Sequence, residues 1–258
     1  MGQSSKKAEQ VLAIVKGNSF PLNINDVLKC AVKVHLMTYR HFMKLHGLSL
    51  EETIELLGSE DGALWYHEET DTYVLLFNDQ VENKSRIRWT IAHELGHYTL
   101  NHHAYLGADI ISRNKVEQGQ YKILEQEADY FAKRFLAPYS VVVKIANLWH
   151  RISRKDLMWL FGLGFESAGY YISELNKRND SRWGIVSDGN LVDQYRNYFE
   201  TLNHLGFCTG CEVPMNYELH DTCPICGDRI IHLTEETLDP TFDLLCSDDN
   251  PMTRLIIN

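Results

Sequence analysis

The segment Trp89-Thr90-Ile91-Ala92-His93-Glu94-Leu95-Gly96-His97-Tyr98-Thr99-Leu100 constrains this chain more than any other. It carries His-Glu-x-x-His on a stretch that reads as helix. At about 3.6 residues per turn, His93 and His97 fall on one face a turn apart, so both imidazoles reach a single Zn2+. Glu94 lies beside them, placed to take the proton of an attacking water. Ile91, Ala92, Leu95 and Leu100 supply apolar surface to bury the helix. An ordinary helix with two surface histidines would show the same spacing, so the reading needs a third ligand.

A catalytic zinc takes three protein ligands and keeps one position open. The stretch Leu124-Glu125-Gln126-Glu127-Ala128-Asp129-Tyr130-Phe131-Ala132-Lys133-Arg134-Phe135-Leu136-Ala137-Pro138 offers one. Leu124, Ala128, Phe131, Ala132 and Phe135 recur at helical spacing, and Pro138 marks the stop. Glu125 and Asp129 are a turn apart on one face. Glu125 is the expected ligand, and Asp129 is expected to accept the free N–H of a ligand histidine and fix its tautomer. Glu127 points roughly 200° round the helix from Glu125 and is set aside. His103 competes for the third place, six residues after His97, where astacin-like zinc enzymes carry a histidine. Those enzymes turn the chain off the helix with a glycine that is Leu100 here, so the helix is expected to run to about Asn101. His102 and His103 then read as helix-end histidines, favoured at the negative end of the dipole.

Arg86 to His97 followed by Glu125 to Ala132 resembles the ImmA/IrrE family of bacterial metallo-endopeptidases in both motifs and their order, and the similarity covers roughly residues 20–180. The resemblance implies a zinc protease that cuts a helix-turn-helix repressor and so relieves repression of stress or mobile-element genes. It also implies His93, His97 and Glu125 as zinc ligands and Glu94 as the base, in agreement with the residues read directly.

A second metal motif lies near the C-terminus. Cys208-Thr209-Gly210-Cys211 is separated by eleven residues from Cys223-Pro224-Ile225-Cys226-Gly227. Two such knuckles give four thiolates, Cys208, Cys211, Cys223 and Cys226, for a tetrahedral structural site. Two disulfides are the alternative, disfavoured in a chain that reads as cytoplasmic. Iron is chemically possible in such a set, and zinc is the expected metal. A module this small has too little core to fold alone, so the metal supplies its stability. Two zinc ions per chain are therefore expected, one catalytic and one structural. Cys30 and Cys246 stand alone and read as packed or idle.

The rest of the 258 residues fits around these motifs. Hydrophobic content of 44% without an apolar run near 18 residues excludes a spanning helix, and Val11 to Val15 is too short for a signal-peptide core. A cytoplasmic protein without membrane partners is expected. A net charge of −10 argues against non-specific nucleic-acid binding by the whole chain. Asn25 or Asp26 is expected to cap one helix running to about His46, closed by Gly47. Ser49-Leu50-Glu51-Glu52 reads as a capping box, with Gly58 as the stop. Ala63–Tyr66 and Tyr73–Asn78 read as a hairpin whose strand could border the cleft and pair with an extended peptide, or simply cover the helix. Arg86 and Arg88 open the metal helix and are expected to pair with local acids.

Ser153 is expected to cap a helix broken at Gly162 and resumed over Ser167–Lys177, a helix-turn-helix-like pattern. Over residues 150–182, Arg151, Arg154, Lys155, Lys177, Arg178 and Arg182 exceed Asp156, Glu166, Glu174 and Asp180 by only two, so DNA binding is weakly supported. A helix is expected from Leu191 to about Leu205. The tail after Leu233 is acidic and ends in apolar Leu255-Ile256-Ile257.

These readings make an α+β, mostly α protein. It has a zincin-like metallopeptidase core with a small β hairpin or sheet, a helix-turn-helix-like segment and a C-terminal zinc ribbon. The expected division is a lead-in over 1–19, the peptidase core over 20–138, the helical segment over 139–205, the ribbon over 206–233 and the acidic tail over 234–258. The expected partner is a protein substrate, which the resemblance implies is a helix-turn-helix repressor. The competing reading is a non-catalytic regulatory protein in which zinc only holds a scaffold for a repressor or DNA. Glu94 separates the two, since a scaffold has no use for a carboxylate beside the ligands. Tyr98, His102, Arg86 and Tyr130 are the candidates for the group that stabilises the oxyanion.

Overall fold

The computed structural model describes residues 2–15, 17, 19–106, 109, 118–149, 151–177, 190–200, 202, 205–210, 214–216, 220–232 and 254–256. Cys211, residues 178–189 and residues 233–253, with most of the acidic tail, lie outside the described residues. The fold is a mostly helical α+β arrangement. Among the described residues, no helix is long and apolar enough to cross a membrane. The chain divides into two compact units, residues 1–15 with 24–136 and residues 16–23 with 137–258.

The first unit holds α1 (Gly2–Val15), α2 (Ile24–Cys30), β1 (Val34–Thr38), α3 (Tyr39–His46) and α4 (Leu50–Leu57). It continues with β2 (Gly62–His67), β3 (Thr72–Phe77), α5 (Lys84–Thr99), α6 (His102–Leu106) and α7 (Gln118–Leu136). The sheet has the order β1-β3-β2. The expected hairpin is present: β2 and β3 pair antiparallel, with Leu64 opposite Leu75 and Trp65 opposite Val74. The third strand was hidden in the sequence. Where one helix was expected from Asn25 to His46, the chain makes α2, turns at Val32–Lys33, and adds β1 parallel to β3. Val34-His35-Leu36-Met37-Thr38 satisfies a helical apolar stripe on paper. Its β-branched ends and a free edge on β3 favour pairing instead. Thr38 then caps α3, its hydroxyl accepting from the His41 amide, and Gly47 closes α3 in the left-handed region at φ 68°.

Alternation along the strands divides the core. Ala63 and Leu76 join Tyr39, Phe42 and Leu57 in a buried cluster beneath α3 and α4. Leu64 and Leu75, also buried, lie on the other face, against which α5 packs. The capping box of α4 is present, with Ser49 and Glu52 exchanging side-chain-to-amide bonds. Helix α7 packs on both α5 and α1, and α1 buries Ser4, Ala8 and Leu12.

The second unit is built on α8 (Tyr139–Trp149), β4 (Arg151–Ser153), α9 (Arg154–Phe161) and α10 (Phe165–Lys177). The chain goes on through α11 (Asn190–Gln194), α12 (Arg196–Glu200), β5 (Leu205–Cys208), β6 (Pro214–Asn216), β7 (Ile230–His232) and β8 (Arg254–Ile256). Ser153 caps α9 in a full capping box with Asp156, and Gly162 ends it at φ 65°. The helix expected over 191–205 is instead two short helices followed by a strand. Phe20 packs its ring on Phe161, Tyr195 and Tyr198. Arg154 lies over the Phe165 ring at 4.2 Å, so one of the basic residues of the helix-turn-helix-like pair is used in packing. β5 stands between β6 and β7, both antiparallel to it.

Candidate metal centre

The cleft in the first unit is made where α5 crosses α7. A Cβ on Gly96 would lie 3.1 Å from the Phe131 ring and 3.2 Å from the Ala128 Cα and carbonyl oxygen. The crossing is therefore set by the two smallest side chains available, Gly96 between the ligand histidines and Ala128 between Glu125 and Asp129. This close approach of backbones brings Glu125 within reach of both imidazoles and Asp129 within reach of His93. Gly62 does the same for β2: a Cβ there would stand 2.5 Å from Thr90 Cγ2 and 2.7 Å from the Leu76 carbonyl oxygen.

His93 Nε2 and His97 Nε2 are 3.0 Å apart, and each is 3.3 Å from an oxygen of Glu125. Ligand atoms about 2.0–2.1 Å from a tetrahedral zinc are separated by about 3.3 Å, so this triangle of two imidazoles and a carboxylate fits the ion. Asp129 Oδ1 sits 2.9 Å from His93 Nδ1, the contact that fixes a ligand tautomer. Glu94 is buried beside the triangle, and the Leu64 amide donates to its carboxylate. The cleft of about 230 Å³ is lined by His93, Glu94, His97, Glu125 and Asp129 together with Tyr121, Trp89 and Gly62.

The four acidic and basic groups bias one another strongly. Burial pushes the Glu94 carboxyl up to about 7, partly opposed by His93 and by the Leu64 amide. For Glu125 burial also raises the carboxyl, but hydrogen bonds and charge from His93 and His97 outweigh it and hold it far below the carboxylate range. Burial drives His97 down to about 4. It acts the same way on His93, where Asp129 and Glu125 overcome it and lift the imidazole to about 10. A crowd of donors that polarises itself this way is the signature of a functional cleft.

Several neighbours differ from expectation. Arg86 does pair with a local acid, Asp61, at 2.8 Å. Tyr98 stacks edge-on with Tyr73 at 5.0 Å and Tyr130 accepts from Arg134, so neither lines the cleft. His102 and His103 do not close the metal helix at its negative end; they open α6, and both are 3% exposed. Asn101 adopts the left-handed region at φ 60°, which turns the chain back after α5. His103 Nε2 then donates to the Leu64 carbonyl at 3.1 Å, and His102 Nδ1 reaches His97 Nδ1 at 2.8 Å. Glu127, set aside in the sequence, approaches His102 Nε2 at 3.4 Å. The usable signal was a histidine five residues after the second ligand, behind an asparagine able to reverse the helix. The outer edge of β2 is also partly taken: Leu64 is engaged by Glu94 and His103, and the Tyr66 amide donates to the Asp109 carbonyl. At the other end of the strand the Gly62 amide donates to Ser59 Oγ at 3.3 Å, so little of the β2 edge is left for an added strand.

In the second unit, Cys208, Cys223 and Cys226 come together with their sulfurs within 4.8 Å of one another. Cys208 and Cys226 Sγ are 3.4 Å apart, close to the spacing of about 3.8 Å for thiolates on a tetrahedral zinc. The Gly210 amide donates to Cys208 Sγ and the Ile225 amide to Cys223 Sγ, as knuckle turns do. Gly227, at φ 83°, allows the second turn. Cys211 lies outside the described residues.

Residues 50–173 match the peptidase M78 family model, described as the IrrE N-terminal-like domain. No curated protein matches the chain. Among solved structures, a Mycobacterium tuberculosis transcriptional regulator is similar, with 17% identity, a TM-score of 0.47, and 72% of this chain and 50% of that chain covered. This chain thus spans about half the length of that protein.

Proposed function

We propose that this chain, which carries the IrrE N-terminal-like domain of the M78 peptidases over residues 50–173, is a zinc-dependent endopeptidase acting on a protein substrate. The observation that supports it most is the pairing of a three-ligand triangle, His93, His97 and Glu125, with a buried carboxylate on the residue next to a ligand. Zinc bound there would acidify a water and polarise the scissile carbonyl. Glu94 takes the proton of the attacking water and returns it to the leaving amine. Burial suits it to this task, because it raises the carboxyl and so makes the carboxylate a better proton acceptor. Asp129 holds His93 in the tautomer that presents Nε2 to the metal. Gly62, at the end of β2, lines the cleft in which the substrate backbone would lie.

The substrate we propose is a helix-turn-helix repressor, whose cleavage relieves repression of stress or mobile-element genes in the cytoplasm. Cys208, Cys211, Cys223 and Cys226 hold a second, structural zinc in a ribbon over 206–233, giving two zinc ions per chain. The segment over 139–205 and then the ribbon follow the peptidase core of 20–138 along the chain.

Co-expression with a candidate repressor, beside a Glu94→Gln version, tests the reading. Glutamine keeps the shape of the side chain but cannot act as base. A discrete repressor fragment made by the wild type alone supports the peptidase. Equal derepression by both forms with the repressor intact overturns it in favour of a zinc-stabilised binding protein.

A further inference from the structure

The geometry points to His102 as a positioning residue: it accepts the Nδ1 hydrogen of the ligand His97 through its own Nδ1 and hands the charge contact on to Glu127. This inference rests on zinc occupying the cleft. Coordination through Nε2 leaves a ligand imidazole with its one hydrogen on Nδ1, and that hydrogen needs a buried acceptor. His93 meets a carboxylate directly, Asp129 at 2.9 Å. His97 meets another imidazole, His102 Nδ1, at 2.8 Å.

Two imidazole nitrogens at that distance need one hydrogen and one lone pair between them. Since His97 supplies the hydrogen, His102 Nδ1 supplies the lone pair, and the hydrogen of His102 sits on Nε2. That atom is buried, makes no hydrogen bond within normal limits, and faces Glu127 Oε2 at 3.4 Å. A contraction of a few tenths of an ångström would make it a hydrogen bond. The chain is therefore set up as His97, His102, Glu127, with the outer carboxylate partly open to solvent.

A simple packing role does not account for this arrangement. A leucine would fill the space behind His97 without placing polar atoms in a buried position, where they are costly unless paired. The choice of a ring over a carboxylate has an electrostatic reason. Glu94, Glu125 and Asp129 already put three carboxylates around the triangle. A neutral imidazole orients His97 without adding a fourth at the first remove, and leaves Glu127 one ring further out. The left-handed Asn101 is what allows it, because the turn folds α6 back onto α5.

The test uses the full chain with histidine side chains labelled with 15N. In the zinc-loaded wild type, long-range 15N–1H spectra are expected to show His97 protonated on Nδ1 and His102 on Nε2 alone. A His102 protonated on Nδ1 overturns the proposal without any variant. Zinc-buffered titrations, followed through the ring shifts of His93 and His97, then report the cleft and not the ribbon. His102→Leu is expected to weaken zinc binding there roughly 10- to 100-fold. His102→Asn, whose Oδ1 stands near the former Nδ1, is expected to recover most of that loss. Equal affinity in wild type and the leucine form overturns the relay, as does an asparagine form no better than leucine. A wild-type cleft that takes no zinc overturns the zinc reading itself, and the relay with it.

Discussion

The cleft in the first unit and the cysteine cluster in the second gather metal-ligating atoms by opposite means. In the cluster, each knuckle brings its own amides: Gly210 serves Cys208 and Ile225 serves Cys223, two residues along the chain. The amides that meet the sulfurs are local, and the pairing of β5 with β7 brings the two knuckles together. In the cleft, no ligand is shaped by its own turn. His93 and His97 depend on a helix crossing at Gly96 and Ala128, and their orientation comes from Asp129 and His102. With zinc in both, as proposed, the first arrangement would need its metal to hold together, and the second would leave part of its metal uncovered.

That contrast yields outcomes of decreasing size. Replacing Cys208 by Ser should have the largest effect on structure, because structural zinc supplies on the order of 10 kcal/mol to modules of this kind. Hydrogen exchange is expected to rise over 206–232 and stay unchanged over α5 and α7. Melting of α5 as well would show that the cysteine cluster is no local module. His93→Ala should remove zinc from the cleft and reduce peptide hydrolysis to background, with a far-ultraviolet dichroism spectrum like that of the wild type, since packing and not metal holds α5. A chain that unfolds on this change would erase the distinction drawn between the two regions.

Gly96→Ala probes the crossing. The new Cβ must displace Ala128 or Phe131 by a few tenths of an ångström, and overpacking of this kind costs about 1–3 kcal/mol. Denaturant unfolding should show that loss, and zinc affinity in the cleft should fall with it because Glu125 moves with α7. Loss of stability without loss of affinity would separate the crossing from the ligand set. Ser49→Ala lies outside both regions. Removing a capping-box hydroxyl should cost about 1 kcal/mol in the same experiment and leave both metal contents unchanged.

What the sequence disclosed follows the same division between local and distant causes. The capping boxes at Ser49 and Ser153, the left-handed glycines 47, 58 and 162, and the antiparallel pair Ala63–Tyr66 with Tyr73–Phe77 were legible, since each is decided within a few residues. Glu125 and Asp129 were read from helical spacing taken together with His-Glu-x-x-His, and the structure brings both beside His93. Strand β1 was not, because Val34 to Thr38 satisfies a helix stripe until β3 offers an edge. Nor was the pairing of His102 with His97, which hangs on the sign of one φ at Asn101, or the role of Glu127, which helical spacing set aside because it points away from Glu125.

If one chain holds two zinc ions of different exposure, counting metal tests it most directly. Native mass spectrometry of the full chain during stepwise chelation is expected to show two zinc ions, one lost early and one late. His93→Ala should lack the early one and Cys208→Ser the late one. A single zinc that survives both substitutions, or two that leave together in every form, would contradict the account.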